Sequence, residues 1–177
     1  MAGHSHWKQI KEQKGTADKK KSQLFSKILN GITVAAKNDP NPQFNARLRS
    51  MIEQARKNNI PQENIERAIK KASTSENKLE DLIMEAYGPG GVAILITAIT
   101  DNKNRTINET KSVLKDNQCK WADPGSVRWA FELNAETLEW QPKFLQNVDE
   151  KTKQHLFKII EELESLDDIQ KVYINVV

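Results

Sequence analysis

Few side chains in this chain of 177 residues stand where they could do covalent chemistry together. His4 and His6 are the nearest pair of imidazoles. With Met1 removed, Ala2-Gly3-His4 would offer an amine, two amides and an imidazole, a set that takes Cu(II) or Ni(II) in a square plane. The competing reading is a segment that packs on, or binds to, a partner. His155 has no companion, and no His, Cys and carboxylate set has zinc spacing. The single cysteine, Cys119, has no histidine near it in sequence, so a small buried thiol is expected rather than a nucleophile. Asp167 and Asp168 are adjacent, which makes their carboxylates diverge; a helix end or turn is the expected role. Gly88-Pro89-Gly90-Gly91 could cradle a phosphate with backbone amides. It lacks the Lys-Ser/Thr of a P-loop and the strand–glycine–helix order of a dinucleotide fingerprint, so a hairpin turn is expected. No catalytic site assembles. The chain reads as non-enzymatic, with no cofactor, no metal and no small-molecule substrate.

The cations point elsewhere. The first 75 residues hold 15 Lys and Arg against 6 Asp and Glu, a net charge of +9, and the remainder holds 12 against 18, a net of −6. Segregation of this kind predicts a polyanionic partner for the basic end, with nucleic acid first. Lys8, Lys11, Lys14, Lys19, Lys20 and Lys21 crowd the front. The last three fall in the first turn of an expected helix, where the helix dipole disfavours cations, so local stability does not explain them. Arg49 and Arg56, two turns apart on a second helix, share one face. Trp7 stands among lysines, where it can stack on a base or pin the segment to the fold. In the third helix, Glu63 precedes Arg67 and Glu66 precedes Lys70 by four residues, the order that neutralises a solvated face; these cations are set aside. No zinc finger or RNA-reading sheet motif is present, so binding led by backbone phosphates and sensitive to salt is expected.

The elements that must position these residues follow from hydrophobic spacing. Residues 1–17 read as a tail, and Asp18 as the cap of a helix from Lys19 to about Lys37, with Phe25, Ile28, Leu29, Ile32 and Ala36 on its buried face. After the turn at 38–42, a helix over 43–58 presents Phe44, Leu48, Met51 and Ala55. A third, over 61–72, opens on Pro61 and buries Ile65, Ala68, Ile69 and Ala72. Beyond a polar linker the period changes. Residues 82–87 read as a strand, and 92–100, apolar on both alternating sets, as a central strand covered on both sides. Asp101 caps a helix over 104–117. Residues 126–133 alternate, with Val127, Trp129, Phe131 and Leu133 inward; Trp121 and Trp140 also read as core. A helix over 149–166 buries Leu156, Ile159, Ile160 and Leu163, and a strand over 170–177 ends the chain. The predicted class is α+β: a basic arm and three-helix bundle over 1–75, then a ferredoxin-like α/β domain over 76–177. No apolar run reaches the ~20 residues that span a bilayer, no secretory core opens the chain, and one cysteine suits a reducing compartment. No membrane partner and a cytoplasmic location are expected.

Several short stretches together resemble the YebC family, which includes the mitochondrial translational activator of cytochrome oxidase subunit one. They are Ala2-Gly3-His4-Ser5 with Trp7, Lys27, Asp39-Pro40-Asn41, Arg47-Leu48-Arg49, Ala55-Arg56, Asn59-Ile60-Pro61 and Asn64 to Lys71. They continue through Tyr87 to Val92, Thr100-Asp101-Asn102, Asn104-Arg105-Thr106, Gly125-Ser126-Val127, Asp167 to Gln170, Val172-Tyr173 and Asn175. His6 stands where the family usually has lysine, Ala86 where it has glycine, and Gln118 to Trp121 where it has a glycine-rich stretch. Family members insert a third domain after the strand matching 126–133. Here residues 134–146 bridge that gap, so the chain resembles a member without domain three. The resemblance implies a nucleic-acid-binding regulator of gene expression, foremost a ribosome- and rRNA-associated translation factor that relieves stalling at proline-rich stretches. The alternative it implies is a double-stranded-DNA-binding transcriptional regulator. A metal-dependent enzyme at His4 and His6 is the outside alternative. The residues expected to meet nucleic acid are Trp7, Lys8, Lys11, Lys14, Lys19, Lys20, Lys21, Arg49 and Arg56.

Overall fold

The computed structural model describes residues 3–74, 78–135 and 137–177, with side chains from residue 17 onward. Helix α1 spans Gly3–Ala36. It therefore starts well before the expected cap at Asp18, and the expected tail is helical from Gly3. Gly15 and Thr16, both poor helix formers, lie inside it. Either residue costs a helix no more than ~1 kcal/mol relative to alanine, and the Gln, Lys, Glu and Ala around them favour helix. Helix α2 spans Ala46–Lys57 and α3 spans Gln62–Lys71.

The expected stripes meet in one apolar cluster: Ile28 and Ile32 from α1, Leu48, Ile52 and Ala55 from α2, Ile65 and Ala68 from α3, with Phe25, Leu29 and Met51 packed against it. Asn45 sets the corner. Its side-chain oxygen accepts the Leu48 N–H at 3.0 Å, capping α2, while its amide donates to the Ala35 and Asp39 carbonyls at 2.8 and 2.7 Å. Phe44, expected on the buried face, precedes this cap and is 78% exposed. Asn59, at φ +58°, turns the chain out of α2, and Pro61 stands at the N-cap of α3, one position earlier than expected.

The remaining elements form a two-layer α/β unit. Strand β1 (Glu80–Tyr87) and strand β2 (Ala93–Thr100) make a hairpin, Glu80 opposite Thr100 and Tyr87 opposite Ala93. Its turn is the expected one at 88–91: the Gly88 N–H reaches the Val92 carbonyl at 2.8 Å, and Gly90 and Gly91 take φ of +73° and +74°, which glycine alone adopts without strain. Helix α4 (Lys103–Asp116) leads to β3 (Lys120–Ala122), and helix α5 (Glu150–Glu164) to β6 (Ile169–Ile174). The sheet order is β3-β1-β2-β6, each neighbouring pair antiparallel. The cap of α4 is Asn102, whose side chain accepts the Arg105 N–H, rather than Asp101.

As its two-sided apolar pattern requires, β2 is central. Ile94, Ile96 and Ala98 pack with Leu114 of α4 and Leu156, Ile159 and Leu163 of α5. Ala93 and Leu95 face the other side, with Ala122, Val127, Ala130 and Phe131. That second face is covered by a short hairpin of β4 (Phe131–Leu133) and β5 (Trp140–Pro142). The expected continuous strand over 126–133 is a 3₁₀ turn at Arg128–Ala130 running into β4. A 3₁₀ turn repeats every three residues instead of two. Val127 and Ala130 therefore point inward, and Trp129 is 61% exposed instead of buried; Leu133 at the end of β4 is also exposed.

Candidate nucleic-acid interface

The cations of α1 divide by face. Lys19, Lys20 and Lys21 are exposed. Lys21 leans over the Phe25 ring at 5.6 Å, toward the helical core. Lys19 and Lys20 border a cleft of about 780 Å³ between α1 and the α/β unit, with Gln23, Arg105, Glu109 and residues 165–168. One turn on, the Gln23 amide donates to the Ser165 carbonyl at 2.6 Å and to Asp167 Oδ1 at 2.9 Å. One turn further, Lys27 Nζ donates to the Glu164 carbonyl. Burial pulls the Lys27 pKa below the usual lysine value, against the opposing pull of Glu164 and Asp167. Lys27 is thus a structural tie rather than a free cation.

Arg49 and Arg56 are exposed on α2 and border neither this cleft nor its smaller neighbour. The Arg49 guanidinium donates to the Pro42 carbonyl at 3.1 Å. Arg56 and Lys57 lie in the last turn of α2, where the dipole favours cations. Among the described residues, Lys19, Lys20, Lys21, Arg49 and Arg56 enter none of the ion pairs. Arg67, set aside from sequence, pairs with Glu63 at 2.8 Å. Glu66 accepts from Gln62 at 3.1 Å. The side chains of Trp7, Lys8, Lys11 and Lys14, and of His4 and His6, lie outside the described residues. Among those searched, no three His, Cys, Asp or Glu side chains gather as a metal site, and no helix is long and apolar enough to cross a membrane. Half-buried Cys119 has its thiol pKa pushed up by burial, which suppresses the reactive thiolate.

Sequence reasoning missed the polar hub opposite the lysines. Asp168 Oδ2 accepts from Arg105 Nη2 at 2.7 Å, Thr106 Oγ1 at 2.6 Å and Thr100 Oγ1 at 3.1 Å. Arg105 also reaches Asp101 at 2.9 Å. Burial pushes the Asp168 carboxyl up, but the bonds from Arg105, Thr106 and Thr100 outweigh it and hold the pKa below the ordinary aspartate value. The neighbouring Asp167 points to Gln23, so the two carboxylates diverge as their adjacency requires. Arg105 and Asp168 border both clefts, the smaller of about 320 Å³ with Asn30, Lys71 and Lys78. The hub joins the end of β2, the start of α4 and the turn before β6. The signal available in sequence was the run from Thr100 to Thr106, whose hydroxyls and Arg are close together only once β2 and α4 fold back on each other.

A family model described as the TACO1/YebC protein N-terminal domain matches residues 5–75. A second, described as the TACO1/YebC second and third domain, matches residues 79–137. The chain belongs to the TACO1/YebC family. Relatives within it include a probable transcriptional regulatory protein of Chloroflexus aurantiacus, 36% identical over 239 aligned positions that cover 99% of this chain and 95% of the relative. One of Aquifex aeolicus, with the same description, is 35% identical over 237 positions, covering 99% and 95%. These alignments are longer than the 177 residues here, so each relative carries residues with no counterpart in this chain. The crystal structure of a conserved hypothetical protein of Aquifex aeolicus superposes with a TM-score of 0.79 at 32% identity, covering 88% of this chain and 90% of that one.

Proposed function

We propose that this YebC-family protein is a non-enzymatic regulator of gene expression that binds double-stranded DNA through its helical, basic end. The observation that carries the reading is the segregation of charge. A net of +9 lies in the first 75 residues, and Lys19, Lys20, Lys21, Arg49 and Arg56 stand exposed outside the ion pairs of the described residues. Lys8, Lys11 and Lys14, with Trp7 among them, belong to the same basic stretch of sequence. Cations so placed neutralise phosphates and release counterions without reading bases. The relatives' description as probable transcriptional regulatory proteins supports DNA over RNA as the target. The ribosome-associated translation reading has no counterpart in those descriptions, and the same experiment separates the two.

The test is fluorescence anisotropy on a labelled DNA duplex over a range of salt, with unlabelled ribosomal RNA as competitor. Binding whose logarithm falls linearly with the logarithm of salt, and which survives an equal mass of RNA, supports the reading. RNA that displaces the duplex at low stoichiometry transfers the function to translation. Co-sedimentation with ribosomal subunits at low salt would then follow.

A further inference from the structure

The exposure of Trp129 is not explained by the α1 cations. Its ring stacks on Phe144, with centroids 5.5 Å apart and planes at 29°, yet Trp129 is 61% and Phe144 45% exposed. Its Nε1–H donates to the Ser126 carbonyl at 2.8 Å. The Tyr87 hydroxyl donates to that same carbonyl at 2.8 Å, so one backbone oxygen anchors two exposed aromatic side chains. The loop carrying it is itself held. The buried Glu85 carboxylate accepts the N–H groups of Gly125, Val127 and Arg128 at 2.7, 2.6 and 2.8 Å.

Exposed cations are carried on the same segments. Lys120 is the cross-strand partner of Tyr87. Arg128 precedes Trp129 in the chain, and its guanidinium lies over the Trp140 ring, 5.1 Å from the centroid; Lys143 precedes Phe144. The Lys143 N–H donates to the Ala130 carbonyl at 2.9 Å, which brings the Phe144 segment beside the turn that carries Trp129. Lys120, Arg128 and Lys143 are all exposed.

We propose that Tyr87, Trp129 and Phe144, with Lys120, Arg128 and Lys143, form a second nucleic-acid surface that takes unpaired bases by stacking. Exposed rings can take the bases of a single strand while exposed cations on the same segments take its phosphates. The Trp129 edge is occupied by Ser126, so the ring offers only a face; the surface binds without reading sequence. Because Ser126 and Phe144 already fix the ring, little side-chain freedom is lost on binding. A duplex keeps its bases stacked within itself and has nothing to place on the platform. The surface is separate from the α1 cations and extends the proposed function to strands opened by the bound protein or by transcription.

The test uses the whole protein and two labelled probes, a short oligothymidylate and a duplex, with oligouridylate as a third arm to compare DNA with RNA. Trp129→Ala is expected to weaken both single-stranded probes by about five- to a hundredfold, the worth of one base stack, and to leave the duplex within twofold. Trp129→Tyr is expected to restore most of the loss, and Phe144→Ala to reproduce part of it. Unchanged single-strand affinity in both Trp129→Ala and Phe144→Ala overturns the proposal. So does equal loss on single strand and duplex. Sedimentation showing self-association that Trp129→Ala abolishes, with oligonucleotide affinity unchanged, overturns it in favour of a second copy of the chain. Charge reversal of Lys19, Lys20 and Lys21 bears on the duplex arm alone, so failure of the proposed function there leaves the single-strand result readable.

Discussion

Replacing Glu85 probes the device that shapes the loop over 125–128. Glu85 is 4% exposed, and its two oxygens receive three backbone N–H groups, Oε1 that of Gly125 and Oε2 those of Val127 and Arg128. In Glu85→Ala all three donors lose their partner. Gly125 and Arg128 are exposed and can turn to water. Val127, 1% exposed, cannot, and a buried unsatisfied donor costs about 1–3 kcal/mol. Adding the two surrendered charge-assisted bonds at about 1 kcal/mol each gives a loss of roughly 3–5 kcal/mol. Glu85→Gln keeps one carbonyl oxygen for Val127 and Arg128 but presents an NH₂ toward Gly125, for a loss of about 1–2 kcal/mol. Urea denaturation followed by far-UV ellipticity reads the stability. Trp emission reads the loop, since release of the Ser126 carbonyl frees the Trp129 indole. A loss below about 1 kcal/mol in Glu85→Ala, or equal losses in the Ala and Gln variants, refutes the reasoning.

Lys19, Lys20 and Lys21 changed together to Glu are expected to weaken duplex binding far more than Arg67 and Lys70 changed to Glu, read as the shift in anisotropy midpoint; equal losses refute the division of the helix faces. Because folding lowers the Asp168 pKa, its contribution to stability is complete above the unfolded carboxylate value of about 4 and is lost as pH falls through the depressed folded value. Urea midpoints from neutral to strongly acid pH should fall more steeply in that acid window for the parent than for Asp168→Asn, which starts lower at neutral pH. A Cβ at Gly88 would lie 2.9 Å from Ile94 Cδ1 and 3.1 Å from Leu156 Cδ2. Both are ends of flexible side chains, so Gly88→Ala should cost about 1 kcal/mol, at the low end of overpacking, by urea midpoint.

What could be read from the sequence divides along physical lines. Ile94, Leu95 and Ile96 announce a central strand because consecutive buried residues suit few other places in an α/β layer. Leu156, Ile159 and Leu163 fix a helix face by spacing alone. Some of the TACO1/YebC motifs lie where the backbone turns or is capped, as at Gly88 to Gly91 and around Asn102. Trp129 was misread because Val127, Trp129, Phe131 and Leu133 alternate like a strand, and nothing local reveals that Glu85, some forty residues earlier, winds the segment into a 3₁₀ turn. Phe44 falls outside the buried face because Asn45 caps α2 and the helix begins at Ala46, not at Gln43. Of the candidate site, the run of cations from Lys19 to Lys21 is legible in the sequence as charge that the apolar stripe does not use. Their position opposite Arg105 and Asp168 was not, since it depends on how α1 meets the α/β unit.

Several polar bonds cross that meeting. The Gln23, Lys27 and Lys37 side chains reach the carbonyls of Ser165, Glu164 and Leu79, and Arg47 makes a two-pronged pair with Asp81 at 2.7 Å. The three apolar clusters each stay on their own side, none mixing residues of α1–α3 with residues of the sheet. The ion pair among these ties, Arg47–Asp81, is weak singly and screened by salt, whereas burial of apolar surface is not. Cooperativity between the two halves should therefore depend on ionic strength. At low salt they melt in one transition; at high salt the helical half, with the smaller core, melts first and alone.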